Sequence, residues 1–150
     1  MKTYPGTFTV YKKLGAAQFT LLPPRVNEEN CRINKNGAVL LEAAPGAGDK
    51  KYNWSSKISF ALGMSDLCNM FDNPDQPQKL IHSMPGSNLV KTLEFKPGEG
   101  RYSGTYVMRL GEVDKNTKES KFVQVPLAGG EYTVLLRLLM SAAPLMIGWQ

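Results

Sequence analysis

The amino-acid sequence predicts an α+β fold, with two antiparallel four-stranded β-sheets, a short helix between them and a second helix at the C-terminal end. Three observations carry that reading. A strand-like pattern recurs along the 150 residues, divided into short segments by Pro, Gly and Asn-Gly turn signals. Helical spacing interrupts it after Gly63. From Gly130 to Ala143 the chain becomes almost continuously apolar. A chain of 150 residues and 16.6 kDa has the size of one domain, residues 1–150, with a single substantial core.

The first segment, TFTVYKKLGAAQFTLL from Thr7 to Leu22, reads as two strands broken around Leu14 and Gly15, the second stopped by Pro23 and Pro24. A polar stretch from Arg25 to Asn30 leads to Ile33. Asn36-Gly37 then supplies a tight turn before the strand Ala38–Ala44, and Pro45, Gly46 and Gly48 make the next turn. A strand from Lys51 to Leu62 follows, with Tyr52, Trp54, Ile58, Phe60 and Leu62 on one side and Lys51, Asn53, Ser55, Lys57 and Ser59 on the other.

Ser65 is positioned to cap a short helix in which Leu67, Met70 and Phe71 fall at i, i+3 and i+4, and Asn73-Pro74 ends it. Four more strands are predicted: Lys79 to Met84, Leu89 to Lys96, Arg101 to Leu110 and Lys121 to Pro126. They are separated by Pro85-Gly86, by Pro97-Gly98-Glu99-Gly100 and by the charged loop Asp114–Ser120. Four strands, a helix and four strands form a repeat of architecture, with no sequence repeat beneath it.

In the last segment only Thr133, Arg137 and Ser141 form a polar stripe, at i, i+4 and i+8. A helix apolar nearly all round must be covered on more than one side. Its own sheets cover one side, and a second copy of the chain is expected on the other, with Leu135, Leu138, Leu139 and Met140 at the interface. Enclosure of this helix within a monomer core is the alternative.

Charge points to the class of partner. The formal net charge is +5, and residues 1–60 carry nine Lys or Arg against four acids, whereas the remaining residues hold nine of each sign. An anionic partner is therefore expected at the N-terminal half, which favours nucleic acid over a small acidic substrate. Cys31 and Cys68 are too isolated for a zinc site or a disulfide framework, so no metal or cofactor is expected. No run of about 18 apolar residues is present, and the N-terminus lacks the apolar core of a secretion signal. Those absences predict a soluble, intracellular protein with no membrane partner.

Catalytic constellations are missing as well. His82 in KLIHSMPG is the only histidine, and a strand-end histidine bonded to a backbone group explains it. Ser83 beside it is sequence adjacency without triad geometry. GEGRYSG around Gly98–Gly104 is a hairpin turn rather than a phosphate loop. A non-catalytic binding protein is the expectation.

Three groups of residues combine cations with flat rings on strands. Lys12 and Lys13 flank Tyr11; Lys50, Lys51 and Lys57 flank Tyr52 and Trp54; Lys91, Lys96, Arg101 and Tyr102 lie in the second strand set. Such groups suit an extended nucleic-acid strand, because bases stack on rings while phosphates pair with lysines. Duplex is a poorer fit, since no basic helix is available for a major groove. Tyr52 and Trp54 also share a predicted face with Ile58 and Phe60, which makes core packing the competing role for both.

Several of these segments resemble the Whirly proteins. INKNGAVLLEAAPGAGDKKYNWSSKISFAL is similar to the family stretch in which a glycine turn and an apolar strand lead through an alanine-proline turn to a tyrosine-tryptophan strand. LVKTLEFKPGEGRY resembles the family's basic strand and lysine-proline turn, and VPLAGGEYTVLLRLLMSAAPLMIGWQ its terminal helix. The family's lysine-glycine-lysine-alanine-alanine motif is echoed by Tyr11-Lys12-Lys13-Leu14-Gly15-Ala16-Ala17 with the glycine displaced. The resemblance implies two sheets packed crosswise, a homotetramer cored by the helices, and single-stranded DNA bound along the sheet edges with little sequence preference. It further implies work in replication, recombination, repair or transcription, with RNA annealing, as in a related guide-RNA-binding group, as the alternative. A trimmed start would suit a plastid or mitochondrial protein, and a native start at Met1 a bacterial or phage one.

Overall fold

The alternating segments fold as strands wherever one face can be buried. The computed structural model describes residues 6–149. In chain order the elements are β1 (Thr7–Tyr11), β2 (Gly15–Leu22), β3 (Arg25–Val26), β4 (Ile33–Lys35), β5 (Ala38–Pro45), β6 (Ile58–Leu62), α1 (Met64–Asp72), β7 (Gln78–Ser83), β8 (Leu89–Pro97), β9 (Thr105–Asp114), β10 (Ser120–Ala128) and α2 (Gly129–Met146). One four-stranded sheet has the order β1-β2-β5-β6 and the other β7-β8-β9-β10, all neighbours antiparallel. The two sheets and the helix between them are the predicted α+β architecture.

Register aligns the inward residues into apolar rows. Phe19, Leu41 and Phe60 lie side by side across the first sheet, and Leu93, Leu110 and Val123 across the second, all buried. β10 touches β1, β2 and β5 in turn, so its sheet crosses the strands of the other. Gly15 permits this close crossing: a Cβ there would lie 2.7 Å from Val123 Cγ1. Leu67 and Met70 of α1, with Tyr132, Leu135, Leu139, Ala142 and Met146 of α2, complete the core.

Four expectations need correction. The strand expected from Lys51 is interrupted, because Trp54–Ser56 form a 3₁₀ turn and regular pairing begins only at Ile58. Asn53 organises that turn by bonding the hydroxyls of Ser55 and Ser56, so a local side-chain network competes with the ladder. Likewise Gly100–Tyr102 form a 3₁₀ turn and β9 starts at Thr105, not Arg101; Gly100 adopts φ +59° there. The polar stretch after Arg25 pairs as the exposed ribbon β3–β4, its turn held by Asn27, whose Oδ1 accepts the Glu29 N–H at 2.9 Å. Finally, α1 is entered from Gly63 rather than Ser65, with Asp66 Oδ2 accepting the Gly63 N–H at 2.9 Å.

α2 runs past Ala143 to Met146, with Pro144 in its last turn. The interface residues expected on it divide. Leu135 and Leu139 face the chain's own core and are fully buried, whereas Leu138 and Met140 lie on the outer side and are exposed. Among the described residues no helix is long and apolar enough to cross a membrane.

Candidate nucleic-acid interface

Chain reversals at the ends of β1, β5 and β8 carry most of the predicted cations. The β1–β2 turn closes with the Lys12 N–H donating to the Gly15 carbonyl oxygen at 3.0 Å, which leaves Lys13 and Leu14 at its tip. The loop after β5 packs on this turn: the Gly46 N–H donates to the Leu14 carbonyl oxygen at 3.0 Å, and Gly46 bridges to Tyr52. Lys50, at φ +53°, and Lys51 are exposed beside it. From the other side the turn after β8 approaches Leu14, and a shallow pocket is lined there by Lys13, Leu14, Arg101, Tyr102 and Pro126. An adjoining pocket of about 190 Å³ shares Leu14, Tyr102 and Pro126 and adds Lys96 and Gln124.

The aromatic residues follow the same line. Tyr11 is 61% exposed, and its ring lies 5.5 Å from that of the half-buried Tyr52, tilted by 43°. The Arg101 guanidinium carbon sits 5.0 Å from the centre of the Tyr102 ring. Trp54, half-buried in its 3₁₀ turn, lies outside the core cluster that holds Ile58 and Phe60. The interruption of the strand is what separates it from them.

Three of the predicted lysines are already engaged. Lys12 Nζ reaches Glu131 Oε1 at 2.9 Å. Lys57 pairs with Glu42. Lys91 spans the two sheets, its Nζ donating to the Ser59 carbonyl oxygen at 2.7 Å with Glu112 at 4.0 Å. The cations brought together without such partners are Lys13, Lys50, Lys51, Lys96 and Arg101, among the described residues.

Glu131 sits at the start of α2, where burial works against its charge. The hydrogen bond from Lys12, the bond from the Ala128 N–H at 2.7 Å and the Lys12 charge outweigh burial and hold its carboxyl below the usual range.

His82 departs from expectation. Its Nε2 lies 2.9 Å from both carboxylate oxygens of Asp66 rather than on a backbone group, and its ring stacks on Phe60 at 3.9 Å. A side chain of α1, invisible to strand patterning, supplies that partner. Among the described residues no group of three or more His, Cys, Asp or Glu could hold a metal ion, and Cys31 and Cys68 are exposed and unpaired.

Leu14, Gln124 and Pro126 were not anticipated at this surface, nor was the exposed Arg109–Phe122 pair farther along the sheet face that carries Gln124. The signal was present for Phe122: the buried Val123 and Val125 alternate with Phe122 and Gln124, which must face outward.

The ensemble is a basic, ring-bearing strip running from one sheet to the turns of the other. A family model described as Whirly transcription factor matches residues 10–138. The chain belongs to the Whirly family. Single-stranded DNA-binding protein WHY1, chloroplastic, of Zea mays is 26% identical to it, over 95% of this chain and 56% of that protein. The chloroplastic WHY3 of Arabidopsis thaliana is 30% identical over 79% and 46%. The mitochondrial WHY2 of the same plant is 26% identical over 83% and 54%. The chain thus spans about half the length of the curated Whirly relatives it matches. Among solved structures, the crystal structure of WHY3 from Arabidopsis thaliana matches with a TM-score of 0.86 at 23% identity, covering 99% of this chain and 92% of that one. The plant transcriptional regulator PBF-2 matches with a TM-score of 0.84 at 20% identity, covering 99% and 86%. These likenesses establish a Whirly fold.

Proposed function

We propose that this chain is a non-catalytic single-stranded DNA-binding protein with little sequence preference, acting as one unit over residues 1–150. The observation that carries the reading is the convergence of Lys13, Lys96, Arg101 and Tyr102 around Leu14, continuous through the Gly46 loop with Lys50, Lys51, Tyr52 and Tyr11. Rings at intervals along a cationic strip fit a flexible strand whose bases are unpaired; a duplex hides its base faces. Membership of a family whose relatives carry single-stranded DNA-binding names supports the same choice. Its service in this reading is replication, recombination, repair or transcription, and the chloroplastic and mitochondrial names of those relatives support an organelle genome as the target.

The assembly is a homotetramer in this reading. Val134, Leu138 and Leu145 are exposed on α2, and an apolar groove of about 400 Å³ beside them is lined by Phe8, Leu21 and Leu138 among others. An apolar groove along an apolar helix suits a second copy. Titration of labelled single-stranded DNA, duplex and RNA of equal length at two salt concentrations tests the function. Tightest binding to single-stranded DNA is expected, and equal or better duplex affinity would overturn the reading. Tighter binding to RNA with annealing of complementary strands would favour the RNA-annealing alternative.

A further inference from the structure

The strand β10 presents two different surfaces. Val123 and Val125 enter the core, so Phe122, Gln124 and Pro126 stand on the outer face of the second sheet. Register sets Phe122 opposite Gly111 and Gln124 opposite Arg109. Because Gly111 has no side chain, Arg109 can fold across the space beside Phe122, and its guanidinium carbon lies 4.1 Å from the ring centre. Phe122 is nevertheless 53% exposed. The exposed phenyl ring under an exposed guanidinium presents a flat, cationic surface to solvent.

This pair is continuous with the strip described above. Gln124 and Pro126 line the pocket that holds Lys96 and Tyr102, and Arg109 is the register neighbour of Gln124. From Pro126 to Phe122 is four residues of strand, about 13 Å. That distance leaves room for an extended strand to continue along the face. The same face carries Lys79, Lys96 and Arg109 against Glu94, which stands between Lys79 and Arg109 in register, so cations predominate.

We infer that the nucleic-acid path continues beyond Tyr102 over the outer face of the second sheet, and that Phe122 with Arg109 forms a platform on which a further base stacks. The inference rests on the single-strand-binding reading above. The guanidinium lies over one face of the ring, so a base would stack on the outer face of the guanidinium or on the free face of the ring, and the N–H donors at the guanidinium edge remain for the adjoining phosphate.

Fluorescence anisotropy with labelled oligothymidylates of graded length tests it. Phe122→Ala should weaken binding of the longer oligomers about tenfold and leave the shortest unchanged, whereas Tyr102→Ala should weaken all of them. Phe122→Tyr, which keeps a ring, should retain the affinity for long oligomers. Arg109→Gln should flatten the slope of log affinity against log salt by about 0.7 on long oligomers only. If the unaltered protein binds no single-stranded DNA, the functional reading itself fails. If it binds, yet Phe122→Ala matches it at every length, this inference alone is overturned. A loss of binding accompanied by a changed mass in light scattering would also overturn it, by making the Phe122 face a protein contact.

Discussion

The Tyr52 hydroxyl donates to the Lys12 carbonyl oxygen at 2.8 Å, tying together two loops that lie 40 positions apart in the chain. The bond gives Tyr52 two separable roles. Its oxygen fixes the turn that carries Lys13 and Leu14, and its ring lies against Tyr11 at the surface. Tyr52→Phe should cost about 1 kcal/mol of stability, because the carbonyl loses its partner. Its affinity for single-stranded DNA should stay close to that of the unaltered protein. Tyr52→Ala should additionally weaken binding by about 1 to 3 kcal/mol. Thermal melts and titrations on both variants separate the roles, and equal binding losses would show that only the hydroxyl matters.

The ion pair between Lys12 and Glu131 keeps one cation out of the strip. Glu131→Gln should release it, and the salt slope for single-stranded DNA should steepen by about 0.7 if Lys12 then meets a phosphate. The same change bears on acid stability. The folded-state pKa of Glu131 lies below its unfolded value, so its contribution is present above the ordinary glutamate range and lost as pH falls through the folded value. Glu131→Gln should therefore lower stability at neutral pH and narrow the difference from the unaltered protein in acid. Parallel melting curves across the acid range check the sign.

Much of the fold was legible because strand alternation and turn chemistry are local properties. Both four-stranded sheets, the helix after Gly63 and the C-terminal helix follow from it. What escaped was decided by side chains acting at a distance or within a few residues. Asn53 bends the chain with two hydroxyl bonds, and the exposed ribbon from Arg25 has no buried face to produce a pattern. At the site, ring and cation types were visible, but pairing was not: nothing along the sequence assigns Glu42 to Lys57 or the Ser59 carbonyl to Lys91. Contiguity around Leu14 required the crossing of the two sheets.

That pairing ranks the lysines. Lys13→Ala and Lys51→Ala should each flatten the salt slope by about 0.7, since each removes a cation with no ion-pair partner among the described residues. Lys57→Ala should leave the slope nearly unchanged and cost about 0 to 1 kcal/mol of stability through its lost pair with Glu42. Trp54→Ala should weaken binding without altering the slope. A slope change for Lys57→Ala as large as that for Lys13→Ala would mean that Lys57 leaves Glu42 to meet the ligand.

Adjacent positions on α2 distinguish assembly from folding. Leu139 is 1% exposed and Leu138 is 45% exposed. Leu139→Glu would place an unpaired carboxylate in the core at a cost of several kcal/mol and should unfold the subunit. Leu138→Glu should leave far-ultraviolet circular dichroism intact while reducing the mass seen by light scattering. An unchanged mass for Leu138→Glu would remove this side of α2 from the proposed tetramer interface.

Tyr132 provides the alkaline test of the core. Its ring stacks on Tyr106 at 4.1 Å and tilts against Phe95 at 5.5 Å, and its buried hydroxyl has no hydrogen-bond partner among the described residues. Burial, reinforced by the nearby Tyr106, pushes its pKa up from 10.0 to about 12. Over that interval the unfolded chain releases the proton while the folded chain retains it, so stability falls as pH rises from about 10 towards 12, by about 2 to 3 kcal/mol at most. Below the unfolded value the contribution is fully present. Tyr132→Phe keeps the stacked ring and removes a hydroxyl that was desolvated without compensation, so it should stabilise the protein by about 1 kcal/mol at neutral pH. It should also remove this part of the alkaline loss, so that its advantage widens between about pH 8 and about pH 11. Denaturant titrations of both proteins at those two values decide the matter, and an advantage that stays constant or shrinks would show that the hydroxyl is solvated in solution.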